Sequence, residues 1–227
     1  METRVAFQEE LHELEERALQ GLDMVVTSLE RVMEALQHQD VELAEMVVED
    51  DDRIDGRYLE VHQGILSLLA RQAPVATDLR LVAALLDVIK HVERMGDQCV
   101  NIAKVIPLTG HEPPTDRALL ETLAEMGKHA ASLVEQSKRA FAERNVELAQ
   151  DLVTRDEAIN RLQREAFRIA IEIGDDMDTR VWAMTMLLVA RALERIGDNA
   201  VDIGEQTAFV VTGLFREFTD ASHPAGV

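Results

Sequence analysis

Two ten-residue stretches, 101 positions apart, hold the residues of this chain best placed to do chemistry. Residues 93–102 read ERMGDQCVNI and residues 194–203 read ERIGDNAVDI, identical at six of ten positions. Glu93 and Asp97 lie four apart, and so do Glu194 and Asp198. On a helix that spacing stacks two carboxylates on one face. Asn101 and Asp202 add a third oxygen donor one turn further on. Like charges so spaced destabilise a helix by roughly 0.2–0.5 kcal/mol. Bringing several together from neighbouring helices costs far more, unless a cation sits between them or some take up protons. An all-oxygen donor set suits hard cations: Mg, Ca, Mn, or iron among the transition metals.

One such pair alone would carry little weight. With 43 acids in 227 residues, chance supplies roughly 8 acidic i, i+4 pairs, and most are solvated faces. Recurrence of the pair in the same ER-x-GD context is not a product of composition. Duplication without function, and Glu–Arg pairing across helices, stay open beside a metal or ion site. Gly96 and Gly197 fall mid-helix, where each costs about 1 kcal/mol against alanine. A close helix crossing is the usual reason to accept that cost, and it would draw the acidic faces together.

The elements that must position these residues are long helices. Leu11, Leu14, Ala18, Leu22, Val25, Leu29, Val32 and Leu36 recur in steps of three and four, which predicts a first helix of about 30 residues. Leu43, Val47, Ile54, Val61, Ile65 and Leu68 predict a second, ended by Pro74. Thr77 and Asp78 are candidate caps for a third, whose seam runs from Val82 to Ile106 before Pro107. The segment PLTGHEPPT, 107–115, breaks the pattern. Two further seams follow, Leu119–Ala140 and Leu148–Ile173, and a sixth helix runs roughly from 178 to 213. Residues 219–227 read as a frayed tail.

The halves match beyond the opening motif. Asp51, Ile54 and Asp55 correspond to Asp156, Ile159 and Asn160 at an offset of 105, against 101 later. A four-residue deletion in the second interhelical turn is expected to account for the difference. Short turns make neighbouring helices antiparallel. The chain therefore reads as all-α: two three-helix bundles related by internal duplication, residues 1–108 and 115–218. Each half then offers acids on two adjacent helices, Asp51/Asp55 facing Glu93/Asp97 and Asp156/Asn160 facing Glu194/Asp198.

Composition narrows the function further. A formal charge of −20 repels nucleic-acid backbones and favours cations and basic protein patches. Cys99 is the single cysteine, which excludes an internal disulfide and zinc-finger chemistry and is expected to be a small core residue. The charged N-terminal sequence is not a secretory signal, and 181–193, the most apolar stretch, is too short to span a bilayer. A soluble protein of a reducing, cytoplasmic compartment is expected. Only Glu9–His12 fits Glu-x-x-His, so the ferritin-like di-iron arrangement fails. There is no HExxH, phosphate-cradling glycine loop or GxSxG. His91 is expected at an exposed polar helix position, and Asp78 and Arg80 in capping and an interhelical ion pair. Glu49–Asp52 is expected to be a solvated face, except Asp51.

Three segments carry a family resemblance: ERMGDQCVNIA, LERIGDNAVDIGE and PVATDLR at 74–80. With them, and with the duplicated layout, the chain resembles the PhoU family of phosphate-signalling regulators over nearly its whole length. The resemblance implies two three-helix bundles whose E(D)xxxD motifs hold, in some members, multinuclear iron or other metal clusters. It also implies a non-catalytic role in damping phosphate uptake and phosphate-starvation signalling. The implied partners are the ATPase of the high-affinity phosphate ABC transporter and the membrane sensor histidine kinase. Carried across, the metal-site candidates are Asp51, Asp55, Glu93, Asp97 and Asn101 in one half, and Asp156, Glu194, Asp198 and Asp202 in the other. Asn160 departs from the pattern, since an acid is expected there. The residues alone leave two alternatives, a carboxylate-bridged metal oxidase or hydrolase and a metal-free acidic scaffold. They also leave homodimerisation open.

Overall fold

A computed structural model describes residues 2–110, 115–174 and 176–218. Among these residues there are six α-helices and no strand: α1 (Glu2–His38), α2 (Val41–Arg71), α3 (Thr77–Val105), α4 (Arg117–Glu143), α5 (Val146–Glu172) and α6 (Met177–Thr212). A short 3-10 turn, Ile106–Thr109, follows α3. Residues 111–114 of the interdomain segment, Asp175 of the acidic turn and the whole expected tail lie outside the described residues.

The apolar seams become the core. Leu11, Ala18, Leu22, Val25 and Leu29 of α1 are buried, as are Leu123, Met126 and Ala130 of α4. Helices α1–α3 form one bundle and α4–α6 a second, and α3 packs against α6 while α1 packs against α4. One continuous hydrophobic core therefore runs through both halves. Arg80 lies beside Gly213 and His91 beside Asn199, so α3 and α6 run antiparallel. Ion pairs from Lys138 to Asp23 (2.6 Å) and Arg144 to Glu15 (2.6 Å) tie the rim of the second bundle to α1.

The duplication extends to the helix corners. Gln39 and Arg144, 105 positions apart, both take a left-handed conformation (φ 52° and 55°). The following residues, Asp40 and Asn145, cap α2 and α5 by accepting from the backbone N–H of Leu43 (2.9 Å) and Leu148 (3.1 Å). Two sequence expectations are corrected here. Thr77 and Asp78 do not cap α3: Ala76 occupies the cap position at φ 48° with no side-chain cap, and Asp78 instead pairs with Arg4 of α1 at 3.6 Å. The four-residue deletion is not in the turn. Helix α2 has 31 residues and α5 has 27, so the second half lacks one helical turn at the end of α5.

Candidate cation sites on the two acid faces

In the first half the acids of α2 and α3 face each other across the helix pair. Asp51 is half-buried, and its Oδ1 lies where a side chain on Gly96 would begin, 2.8 Å from that added carbon. Ile54 fills the rest of the space, 3.0 Å from the same point. The glycine of ER-x-GD thus makes room for a carboxylate and an isoleucine of the neighbouring helix. Burial first, then the charges of Asp55, Asp97, Glu93 and Asp52, push the Asp51 carboxyl up to about 6. Glu93 is raised too, by burial and then by Asp97 and Asp55, with Arg94 and Lys90 opposing. Asp55 and Asp97 are exposed. Asn101, also exposed, donates to Gln98 Oε1 of its own helix at 3.5 Å.

The second half repeats the frame with different neighbours. Asp156, Asn160, Glu194, Asp198 and Asp202 line an open cleft of about 850 Å³ between α5 and α6, with Glu205, Arg161 and Arg164 on its walls. Asp156 is 4% exposed and lies against Gly197 as Asp51 lies against Gly96. Asn160, at the position of Asp55, donates its amide to Asp156 Oδ2 at 2.7 Å. Glu194 is 9% exposed. Its Oε1 accepts from Arg191 at 2.5 Å, and its Oε2 is buried with no hydrogen-bond partner. Burial and then Asp198 raise the Glu194 carboxyl, and Arg191 and Arg195 pull against them. Asp202 is raised chiefly by burial, with His91 and Arg94 opposing.

His91 overturns its expectation. It is buried rather than exposed (8%), because α3 packs on α6 and its ring is enclosed there. Its Nδ1 lies 2.8 Å from Asn199 Oδ1 and 3.5 Å from Asp202 Oδ2. Sequence reasoning missed Arg191, Asn199 and Glu205 as well. No signal in a one-dimensional pattern links His91 to a residue 108 positions away. Cys99 is fully buried, and burial pushes its thiol up to about 12, so it is an inert core residue. In the Glu49–Asp52 quartet, Asp50 pairs with Arg31 at 2.6 Å.

The donor chemistry fits a hard cation in the first half: burial and the charges of neighbouring acids raise the Asp51 and Glu93 carboxyls, and a cation between them would relieve that repulsion. Among the described residues, though, no three or more His, Cys, Asp or Glu side chains close to metal-ligating separation, so neither face is a preformed cage. The second half answers the same problem with Arg191, Asn160 and His91.

Comparison with known proteins agrees with this duplicated architecture. The PhoU domain model matches twice, over residues 19–106 and 123–207. A phosphate-specific transport system accessory protein PhoU homolog of Clostridium acetobutylicum is 32% identical over 96% of this chain and 100% of its own. PhoU homolog 1 of Mycobacterium leprae is 29% identical over 94% and 96%. Among solved structures, the phosphate transport system regulatory protein PhoU from Streptococcus pneumoniae superposes with a TM-score of 0.85 at 28% identity, covering 92% of this chain and 99% of that one. PhoU from Pseudomonas aeruginosa gives 0.84 at 26% identity, covering 92% and 100%. Two matched repeats and end-to-end relatives at this identity leave one assignment: the chain belongs to the PhoU domain family.

Proposed function

We propose that this protein is a negative regulator of high-affinity phosphate uptake and phosphate-starvation signalling, acting by binding partners and metal rather than by catalysis. Its two repeat units, 1–108 and 115–218, are the binding modules. The partners are the ATPase of a phosphate ABC transporter and a phosphate-sensing histidine kinase, met at the cytoplasmic side of the membrane. No described helix is long and apolar enough to cross a membrane, so such contact runs through the partners.

One observation supports the reading above others. In each half an acid of the preceding helix, Asp51 or Asp156, is seated over the glycine of an ER-x-GD motif that carries its own acid pair, in a chain whose relatives are named as accessory proteins of phosphate-specific transport. Asp51, Asp55, Glu93 and Asp97 would hold the cation, iron, manganese or magnesium, and the cation would relieve their mutual repulsion. Among the described residues, no nucleophile-and-base pair of the kind an oxidase or hydrolase would add stands beside those acids. Cells lacking the protein, grown in high phosphate, test the reading. Derepressed phosphatase expression and unrestrained phosphate uptake are expected, and normal repression would refute it. Metal analysis of protein purified without chelator, against Glu93→Gln and Glu194→Gln, tests the cation component separately.

A further inference from the structure

Beyond α6 the chain turns back along its own groove. Gly213 ends the helix at φ 74°, its N–H donating to Phe209 O at 2.8 Å. A side chain at this position would begin 2.7 Å from Arg80 Nη1 of α3, so glycine serves both the turn and the close approach. Residues 214–218 then follow the channel between α5 and α6. Phe215 meets Phe209 edge-on, with ring centroids 5.6 Å apart. The Phe218 ring comes to rest over Gly204, 3.4 Å from the point where a side chain there would begin. Its backbone N–H donates to Glu205 Oε1 at 2.6 Å. The segment is a strap, held at one end by a left-handed glycine and at the other by a seated ring. At the offset of 101, Ala103 and Lys104 stand where the second half has Gly204 and Glu205, so the seat belongs to the second half alone.

The seated end of the strap stands at the mouth of the second acid cleft. Phe218, Val153 and Thr154 line both that cleft and a groove of about 400 Å³ beneath the strap. Two opposed forces act there. The Phe218 ring and N–H hold the strap down, while Glu217, exposed beside them, pushes it away. Burial first, and Glu217 among the charges after it, raises the carboxyls of Asp202 and Glu205. The cleft also holds an unmet acceptor: Glu194 is 9% exposed, and its Oε2 has no hydrogen-bond partner. A long basic side chain can carry an N–H to that atom, and its charge would offset the surrounding acids. A metal ion would need several donors drawn together, and no described group of acids, histidines or cysteines is so gathered. We propose that residues 214–218 form a charge-sensitive strap, and that a basic side chain of a partner entering the second acid cleft cancels the repulsion on Glu217 and draws the strap shut. The inference rests on the partner-binding reading above and gives one of those contacts its chemistry.

Thiol labelling of the full-length chain carrying Val153→Cys tests the strap. Cys99 is fully buried and stays silent, so N-ethylmaleimide reports access beneath Phe218. Every rate is taken relative to the same chain with Phe218→Ala, which corrects for effects on the thiol itself, and circular dichroism checks that each variant is folded. Phe218→Ala should label several times faster. Spermidine, the probe for a basic group, should slow labelling under the intact strap by about two- to threefold, the size of an exposed charge-pair effect. Glu217→Gln should abolish that response by removing the repulsion, and Glu194→Gln should abolish it by removing the acceptor. The proposal is overturned if Phe218→Ala labels no faster, if spermidine has no effect, or if its effect persists in Glu217→Gln. It is overturned equally if Mn²⁺ closes the strap and spermidine does not. None of these outcomes touches phosphatase repression or the metal content of Glu93→Gln, so the strap can fail while the regulatory reading stands.

Discussion

Three glycine-to-alanine substitutions measure how tightly the acid faces are assembled, because the same chemical change meets three different surroundings. Gly56 lies mid-α2, is exposed, and an added carbon there meets nothing within 4 Å. Alanine should therefore return the full helix-propensity gain, about 1 kcal/mol. At Gly96 the added carbon meets Asp51 Oδ1 at 2.8 Å and Ile54 Cγ2 at 3.0 Å. Asp51 is half-buried and its tip can swing outward, so a crowding cost at the low end of about 1–3 kcal/mol roughly cancels the propensity gain. At Gly197 the carbon runs into Asp156 Oδ1 well inside 3.0 Å, with Ile159 Cδ1 at 3.1 Å behind it. Asp156 is buried and tied to Asn160, so it cannot step aside cheaply. The upper end of the crowding range applies, and the net loss should be about 2 kcal/mol. For a chain of this size each kcal/mol moves the melting midpoint by about 2–4 °C. Thermal melts in chelator should thus rank Gly56→Ala above wild type, Gly96→Ala near it, and Gly197→Ala about 4–8 °C below. A Gly197→Ala protein as stable as wild type would show that Asp156 is not seated on α6, and the geometry of the second face would fall with it.

Three further outcomes follow from the electrostatics. Asp51 is held near 6 rather than 3.8, so its ionisation opposes folding: the penalty is absent below about pH 4, grows between 4 and 6, and is complete above. At full weight the shift is worth about 3 kcal/mol, and solvent screening of this half-exposed group reduces it to about 1. Asp51→Asn should therefore be more stable than wild type by about 1 kcal/mol at pH 7 in chelator and equal to it at pH 4, read by urea denaturation; a variant less stable at pH 7 contradicts the repulsion. If the first face is the cation site, the melting shift produced by added Mn²⁺ should vanish in Glu93→Gln and survive in Glu194→Gln, whose arginine partner is already in place; equal loss in both would show that the halves bind alike. Finally, His91→Ala removes a buried ring and its contact with Asn199, and should cost about 2 kcal/mol in urea unfolding, whereas an exposed histidine would cost almost nothing.

The elements, their order and their pairing were legible because helical periodicity reports burial directly: the seams from Leu11 to Leu36 and Leu119 to Ala140 are the buried faces of α1 and α4. The duplication was legible because ER-x-GD recurs, and the acid pairs because residues four apart on one helix must be neighbours. What the glycines are for was only half legible. A close approach could be anticipated, but not that the atoms approaching would be a carboxylate and an isoleucine from the preceding helix. The turn chemistry before α3 was misjudged because Thr77 and Asp78 have the right composition for a cap while the chain enters the helix one residue earlier. Sequence alone thus determined six amphipathic helices in two matched sets, each with a stacked pair of acids, since all of that depends on spacing within one helix. Only the tertiary structure decided that His91 of the first half reaches Asn199 and Asp202 of the second, and that Arg191 and Asn160 bond Glu194 and Asp156 of the second face while Arg94 and Lys90 oppose the repulsion at Glu93 of the first only through their charge. Those contacts depend on how helices far apart in the chain are packed, and no local period encodes that.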